Sequence, residues 1–174
     1  MGQDTRSILD HRIDLSAPEA IREKLEETTA GLLNALETVS LVRTSSPIEH
    51  WEVRPSSVLF PNVPSVRLLG PYSFVIDIFP KAIVIGSWLR WKEFVRGDHV
   101  RDEYRRIIRA FAAVFHSTYV VYLPDSGLKA AEEMLNQVYE GRMPDTNAEL
   151  FPLEAEAAAG RLHLDSCYVE YLTT

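Results

Sequence analysis

Four groups of residues carry side chains that could do chemistry. The first is Asp125-Ser126-Gly127, where an apolar run ending at Pro124 meets a helical pattern. A strand-to-helix loop exposes the free N–H groups of a helix start and can hold an anion or a carboxylate. It lacks the spaced glycines and lysine of a phosphate loop and the Gly-x-Ser-x-Gly of a nucleophile elbow. The commoner role for Asp125 or Ser126 is therefore to cap the helix, with Gly127 supplying the turn. The second is Asp77, an acid inside the strongest β-prone run. On a buried face it needs an arginine or other donors, or it must stay protonated. The third is His163, Asp165 and Cys167 at alternate positions, the residue types of a cysteine hydrolase. Side chains along one strand stand parallel rather than meeting, so a structural thiol is expected. The fourth is not catalytic. Trp88, Arg90 and Trp91, followed by Arg101, Arg105 and Arg109 at four-residue spacing, are the residue types that anchor protein interfaces. The bland alternatives are a tryptophan plugging the end of the sheet and a solvated helix face.

No cofactor or metal signature accompanies these groups. His11, His50, His99, His116 and His163 show no HExxH, HxH or Cys/His spacing. The single cysteine rules out an internal disulfide and fits a reducing compartment. With Lys plus Arg 18 against Asp plus Glu 25, the net charge of −7 works against a nucleic-acid partner and favours a basic one. No apolar run approaches the roughly 20 residues of a spanning helix, and no export signal opens the chain, so a cytoplasmic location is expected. Met1-Gly2 is not followed by the Ser or Thr at position 6 that myristoylation wants; Arg6 stands there.

The elements that must position these groups are legible from periodicity. Residues 7–15 alternate weakly and predict an early edge strand. Ser16-Ala17-Pro18-Glu19 has the order of a capping box, and Ile21, Leu25, Leu32, Leu33, Leu36 and Val39 continue it as a helix. After a polar turn at 43–47, short β-prone pieces at 48–53, 58–60 and 66–69 are interrupted by Pro55, Pro61 and Pro64, the mark of edge strands or loops. The runs 72–79 and 82–88, joined by Pro80-Lys81, predict an antiparallel hairpin, central and apolar on both faces. Asp98 is the expected N-cap of a helix that buries Val100, Tyr104, Ile107, Ile108, Phe111 and Phe115. Residues 118–123 form a strand and 128–139 a helix stopped by Gly141. A short helix at 153–159 and a last strand at 161–172 complete the chain. His116 and Ser126 fall at opposite ends of the 118–123 strand, which argues against a Ser-His couple.

These elements predict a single α+β domain spanning 1–174, with a mainly antiparallel sheet of about five or six strands and packed amphipathic helices. From 71 to 141, the hairpin, the helix, the segment YVVYLPDSG and the next helix resemble bacterial immunity proteins that neutralise polymorphic toxins. That resemblance implies a non-catalytic protein that blocks a toxin by occupying its active surface; it assigns no binding residues. The expected function is a cytoplasmic protein-binding module, most concretely an immunity-type inhibitor of a basic toxin. Trp88, Arg90, Trp91, Arg101 and Arg105 are its candidate contacts. The alternative is a hydrolase-like small-molecule enzyme with a pocket near Asp125, Ser126 and Asp77.

Overall fold

The computed structural model describes residues 2–36, 49–55, 59–146 and 149–173. The expected turn at 43–47, Val39, Ile48 and Val58 lie outside the described residues, as do the side chains of Leu33 and Leu36. In chain order the elements are β1 (Asp4–Asp10), α1 (Pro18–Leu36), β2 (Glu52–Pro55), β3 (Val66–Leu69), β4 (Val75–Ile78), β5 (Ala82–Arg90), α2 (Trp91–Arg96), α3 (Asp98–Phe115), β6 (Tyr119–Pro124), α4 (Lys129–Tyr139), β7 (Leu150–Pro152), α5 (Leu153–Ala158) and β8 (Cys167–Tyr171). The strands form an eight-stranded sheet in the order β2-β3-β4-β5-β1-β6-β8-β7. Every pair is antiparallel except β7 with β8, so the α+β class holds.

Strand alternation divides the core into two layers. On one face Leu9, Ile76, Ile78, Ile83, Ile85, Val120 and Tyr122 pack against α1, α2 and α3 through Leu25, Phe94, Tyr104, Ile108 and Phe111. On the other, Ile8, Val84, Val121, Leu123 and Val169 pack against Ala131, Met134, Leu135 and Val138 of α4. The first layer has several helices over it and the second has one, and that asymmetry decides where the surface is hollow.

The hairpin forms as expected: Ile78 pairs with Ile83, and the Phe79 amide donates to the Ala82 carbonyl at 2.9 Å. The first strand is corrected in both place and rank. It spans Asp4–Asp10 and lies in the middle of the sheet between β5 and β6. Its alternation is weak because both faces are covered, with Ser7 and Leu9 under α3 and Ile8 under α4. Asp10 ties its end to β6: one carboxylate oxygen accepts from the Thr118 amide at 2.7 Å, the other from the Thr118 hydroxyl at 2.6 Å. The proline-interrupted region does supply the outer strands β2 and β3, with Pro55 on the edge strand where its missing N–H costs nothing. Gly70 is required there because the Trp51 ring lies on it; a Cβ would sit 2.5 Å from the ring.

The starts of α1, α3, α4 and α5 match the patterns to within a residue or two, the caps do not, and the helix α2 was not expected. Ser16 donates its amide and hydroxyl to Asp14 at 2.9 and 2.7 Å, and α1 starts at Pro18. Asp98 is the first helical residue of α3, after Gly97, and pairs with Arg101. Gly141, at φ 77°, follows the end of α4 in the left-handed conformation expected of it. The last strand is shorter than expected, so His163 and Asp165 precede it and share no strand face with Cys167.

Candidate functional site

The α4 face of β5 presents Val84, Gly86, Trp88 and Arg90 in alternation. Val75, the first residue of β4, pairs with Gly86, so β5 runs on past its neighbour. The chain before β4 turns away through Tyr72 and Ser73, both at left-handed φ values of 59° and 60°. On the other side the β1 register slips between Asp4 and Arg6, an irregularity that releases residues 87–89 from close pairing. Trp88 is therefore carried on a rigid strand yet stands clear of the sheet, 61% exposed.

Beneath it is a hollow of about 350 Å³ lined by Arg6, Arg67, Asp77, Gly86, Trp88 and Tyr139 among others. Gly86 forms part of the floor, and the Arg6 guanidinium lies over it: a Cβ at that position would be 3.0 Å from Arg6 Nη1. Asp77 and Arg67 are cross-strand partners and form a two-pronged pair, Nε to Oδ1 at 2.6 Å and Nη2 to Oδ2 at 2.7 Å. The carboxylate raises the Arg67 pKa further by this hydrogen bond, which outweighs burial. The partner that a buried Asp77 demands is thus supplied ten residues upstream. A second hollow of about 420 Å³ shares Arg6 and Tyr139 with the first and adds Asp125 and Glu132. Together they form a groove along the border of α4.

The groove brings together Trp88, Asp77 and Asp125 from the candidate set. Arg90 is beside it, half-exposed, donating to Asp4 Oδ1 at 2.7 Å and to the Gly2 carbonyl at 2.9 Å. Asp125 does not cap α4. Its Oδ1 accepts from the Asp4 amide at 3.0 Å and from the Ser126 hydroxyl at 3.2 Å, stitching the loop to β1. The residue before α4 is Leu128, with no side-chain cap, and Glu132 instead reaches back to accept from the Gly127 amide at 2.8 Å.

Trp91, Arg101 and Arg105 lie elsewhere. Trp91 is fully buried, stacked on Phe94 at 5.2 Å, and its indole N–H donates to the Leu164 carbonyl at 2.7 Å. Of the two neighbouring tryptophans one plugs the core, because β5 ends at Arg90 and the chain turns into α2. Arg101 is 4% exposed and donates to the Phe94 and Val95 carbonyls at 3.3 and 3.2 Å. The Arg105 side chain, 12% exposed, donates to both oxygens of Glu170 at 3.2 and 2.9 Å. Arg109 reaches the same carboxylate at 2.6 Å, as does the Tyr122 hydroxyl at 2.8 Å. Burial alone would raise the Glu170 pKa, but the donors, Arg105 first, hold it below its usual value. Burial pushes the Tyr122 phenol well up. Arg105 and Arg109 are thus turned onto Glu170 of β8, and Arg101 onto the carbonyls of α2.

Sequence reasoning did not find Arg6, Arg67, Tyr139 or Glu170. Arg67 and Glu170 share a signal: each is a lone charge in an otherwise apolar strand, VRLL and CYVEY, which means a partner across the sheet or on a helix above it. Cys167 is buried, and that burial pushes its thiol up to about 12. Among the described residues no three His, Cys, Asp or Glu side chains gather in a group that could hold a metal ion. No helix among them is long and apolar enough to cross a membrane.

No protein-family model matches the chain, and no curated protein matches it. Among solved structures, it is similar to the Pseudomonas aeruginosa T6SS protein PA0821 at 10% identity and a TM-score of 0.36. The match covers 81% of this chain and 46% of that one, so this chain spans less than half that protein's length.

Proposed function

We propose that the chain is a non-enzymatic protein-binding module, most concretely an immunity-type inhibitor that acts in the cytoplasm and holds a basic toxin through the Trp88 groove. The observation that carries this reading is Trp88 itself. A tryptophan more than half exposed at the end of a central strand, above a hollow and next to Arg90, is the kind of anchor that dominates interface energetics. The floor beneath it is already ordered by the Arg67–Asp77 pair, so a partner would meet a surface with little entropy left to lose. The net charge of −7 favours a basic partner. The resemblance of residues 71–141 to immunity proteins supplies the biological class. Arg90, on the rim, is the second contact. Trp91, Arg101 and Arg105 support the strand and helix that carry these contacts.

The alternative, a small-molecule enzyme, draws on the same groove, where Asp77 and Asp125 line adjoining hollows. Against it, Asp77 is taken up by Arg67, Asp125 by the Asp4 amide and the Ser126 hydroxyl, and neither hollow has a histidine in its wall.

The test is co-expression and pull-down with the protein encoded by the adjacent reading frame, followed by calorimetric titration. Binding that weakens at least tenfold in Trp88→Ala, with the melting temperature unchanged, is expected. A partner bound equally well by Trp88→Ala would overturn the assignment of the groove. Failure of the adjacent product to bind, with no rescue of growth, would overturn the immunity reading.

A further inference from the structure

At the other end of β1 from Trp88 is a larger hollow, about 850 Å³, within the roughly 300–1,000 Å³ of small-molecule sites. It lies where β1, α3 and β8 all end. Its lining combines two arginines, Arg12 and Arg109, and the imidazole of His116 with the apolar Ala113, Leu172 and Tyr171.

The polar groups are available. Arg12 is exposed, and its side chain has no hydrogen bond or ion pair among the described residues, although its amide is fixed by donation to the Phe115 carbonyl at 3.1 Å. Arg109 spends Nε and Nη2 on Glu170 and Glu154, which leaves Nη1 without an acceptor among the described residues. His116 is exposed and is held at φ 54° as the left-handed cap of α3. The negative charges nearby are accounted for. Glu154, also in the wall, bonds Arg105 and Arg109. Glu170 is buried beneath the same two arginines. Asp10 is used by the amides and hydroxyl at the start of β6. A helix C-terminus would ordinarily repel an anion through its free carbonyls. Here the last-turn carbonyls of Ala112, Ala113 and Phe115 accept from Ser117, His116 and Arg12 amides. Tyr171 is 73% exposed, the most exposed large apolar side chain among the described residues, and contributes its ring to this wall.

We infer that this hollow binds a small amphipathic anion, with a carboxylate or phosphate held by Arg12 and the free edge of Arg109 and an apolar body lying against Ala113, Leu172 and Tyr171. Such a site is locally cationic in a chain whose net charge is −7, so its selectivity for anions comes from the pocket and not from the overall field. It shares no wall residue with the Trp88 groove and stands or falls apart from the proposed toxin binding.

The probe is 8-anilinonaphthalene-1-sulfonate, titrated into the full chain and followed by fluorescence. Saturable binding is expected, at least tenfold weaker in Arg12→Glu and several-fold weaker in Tyr171→Ala, and unchanged in Trp88→Ala. Both positions are exposed, so circular dichroism and melting should match the wild type. Displacement by decanoate identifies a carboxylate ligand, and displacement by phenyl phosphate a phosphate ester. No saturable binding, equal binding by Arg12→Glu, loss of binding in Trp88→Ala, or displacement by neither competitor overturns the proposal.

Discussion

Two arginine–carboxylate clusters sit on opposite faces of one sheet, and they differ in what covers them. On the α3 face Glu170 has a side chain only 2% exposed and takes donors from Arg105, Arg109 and Tyr122. On the α4 face Asp77 has a single arginine and borders an open hollow. Both carboxylates are nearly buried, with side chains 2% and 9% exposed, and each lone pair removed from water needs a replacement. A carboxylate under a long helix can draw on successive turns of that helix, as Glu170 does from Arg105 and Arg109. One at the border of α4 draws on its cross-strand neighbour alone. The closed cluster is part of the scaffold, and the open one is part of a surface.

The sharpest way to break this contrast is Glu170→Ala. It leaves Arg105 nearly buried without its main acceptor, and removal of one partner of such a pair costs about 3–5 kcal/mol. Urea denaturation would read this as a lower midpoint at an unchanged slope. Asp77→Ala should cost less, about 1–3 kcal/mol, because the Arg67 side chain is partly solvated and water can replace the lost oxygens. Equal losses at the two sites would mean that burial does not set the difference.

Acid sharpens the comparison. The donors hold the Glu170 carboxyl below its usual 4.5. Its contribution is therefore fully present above that value and lost as pH falls through the lower folded value. Stability measured from pH 6 down to about 3 should fall less steeply in Glu170→Gln than in the wild type. A parallel pair of curves would remove Glu170 from the acid response. The smallest expected effect is at the open surface: Trp88→Ala should change stability by no more than about 0.5 kcal/mol, as exposed positions generally do. A larger loss would mean that Trp88 supports the sheet instead of projecting from it.

α3 and α4 were legible because their apolar residues recur with one clean period, the hairpin because two long apolar runs flank a two-residue link, and Gly141 marked a stop that the backbone also uses. The first strand was misplaced because coverage on both faces erases the alternation that identifies an edge. The caps at Asp125 and Asp98 were misread for a different reason. Their side chains satisfy competing partners, the Asp4 amide and Arg101, which are distant from the expected helix end or lie inside the helix. Of the candidate contacts, Trp88 and Trp91 are indistinguishable in type and only three residues apart, yet one is exposed and the other fully buried.

What the sequence by itself determined is local: which segments are helix or strand, which residues within them are apolar, and that lone charges in apolar strands require partners. The tertiary structure alone decided which charges meet. Arg67 finds Asp77 through strand register, Arg105 and Arg109 find Glu170 through the packing of α3 on β8, and Trp88 is left exposed because β5 outruns β4. Those outcomes depend on distances between segments far apart in the chain, and the periodicity of a single segment carries no information about them.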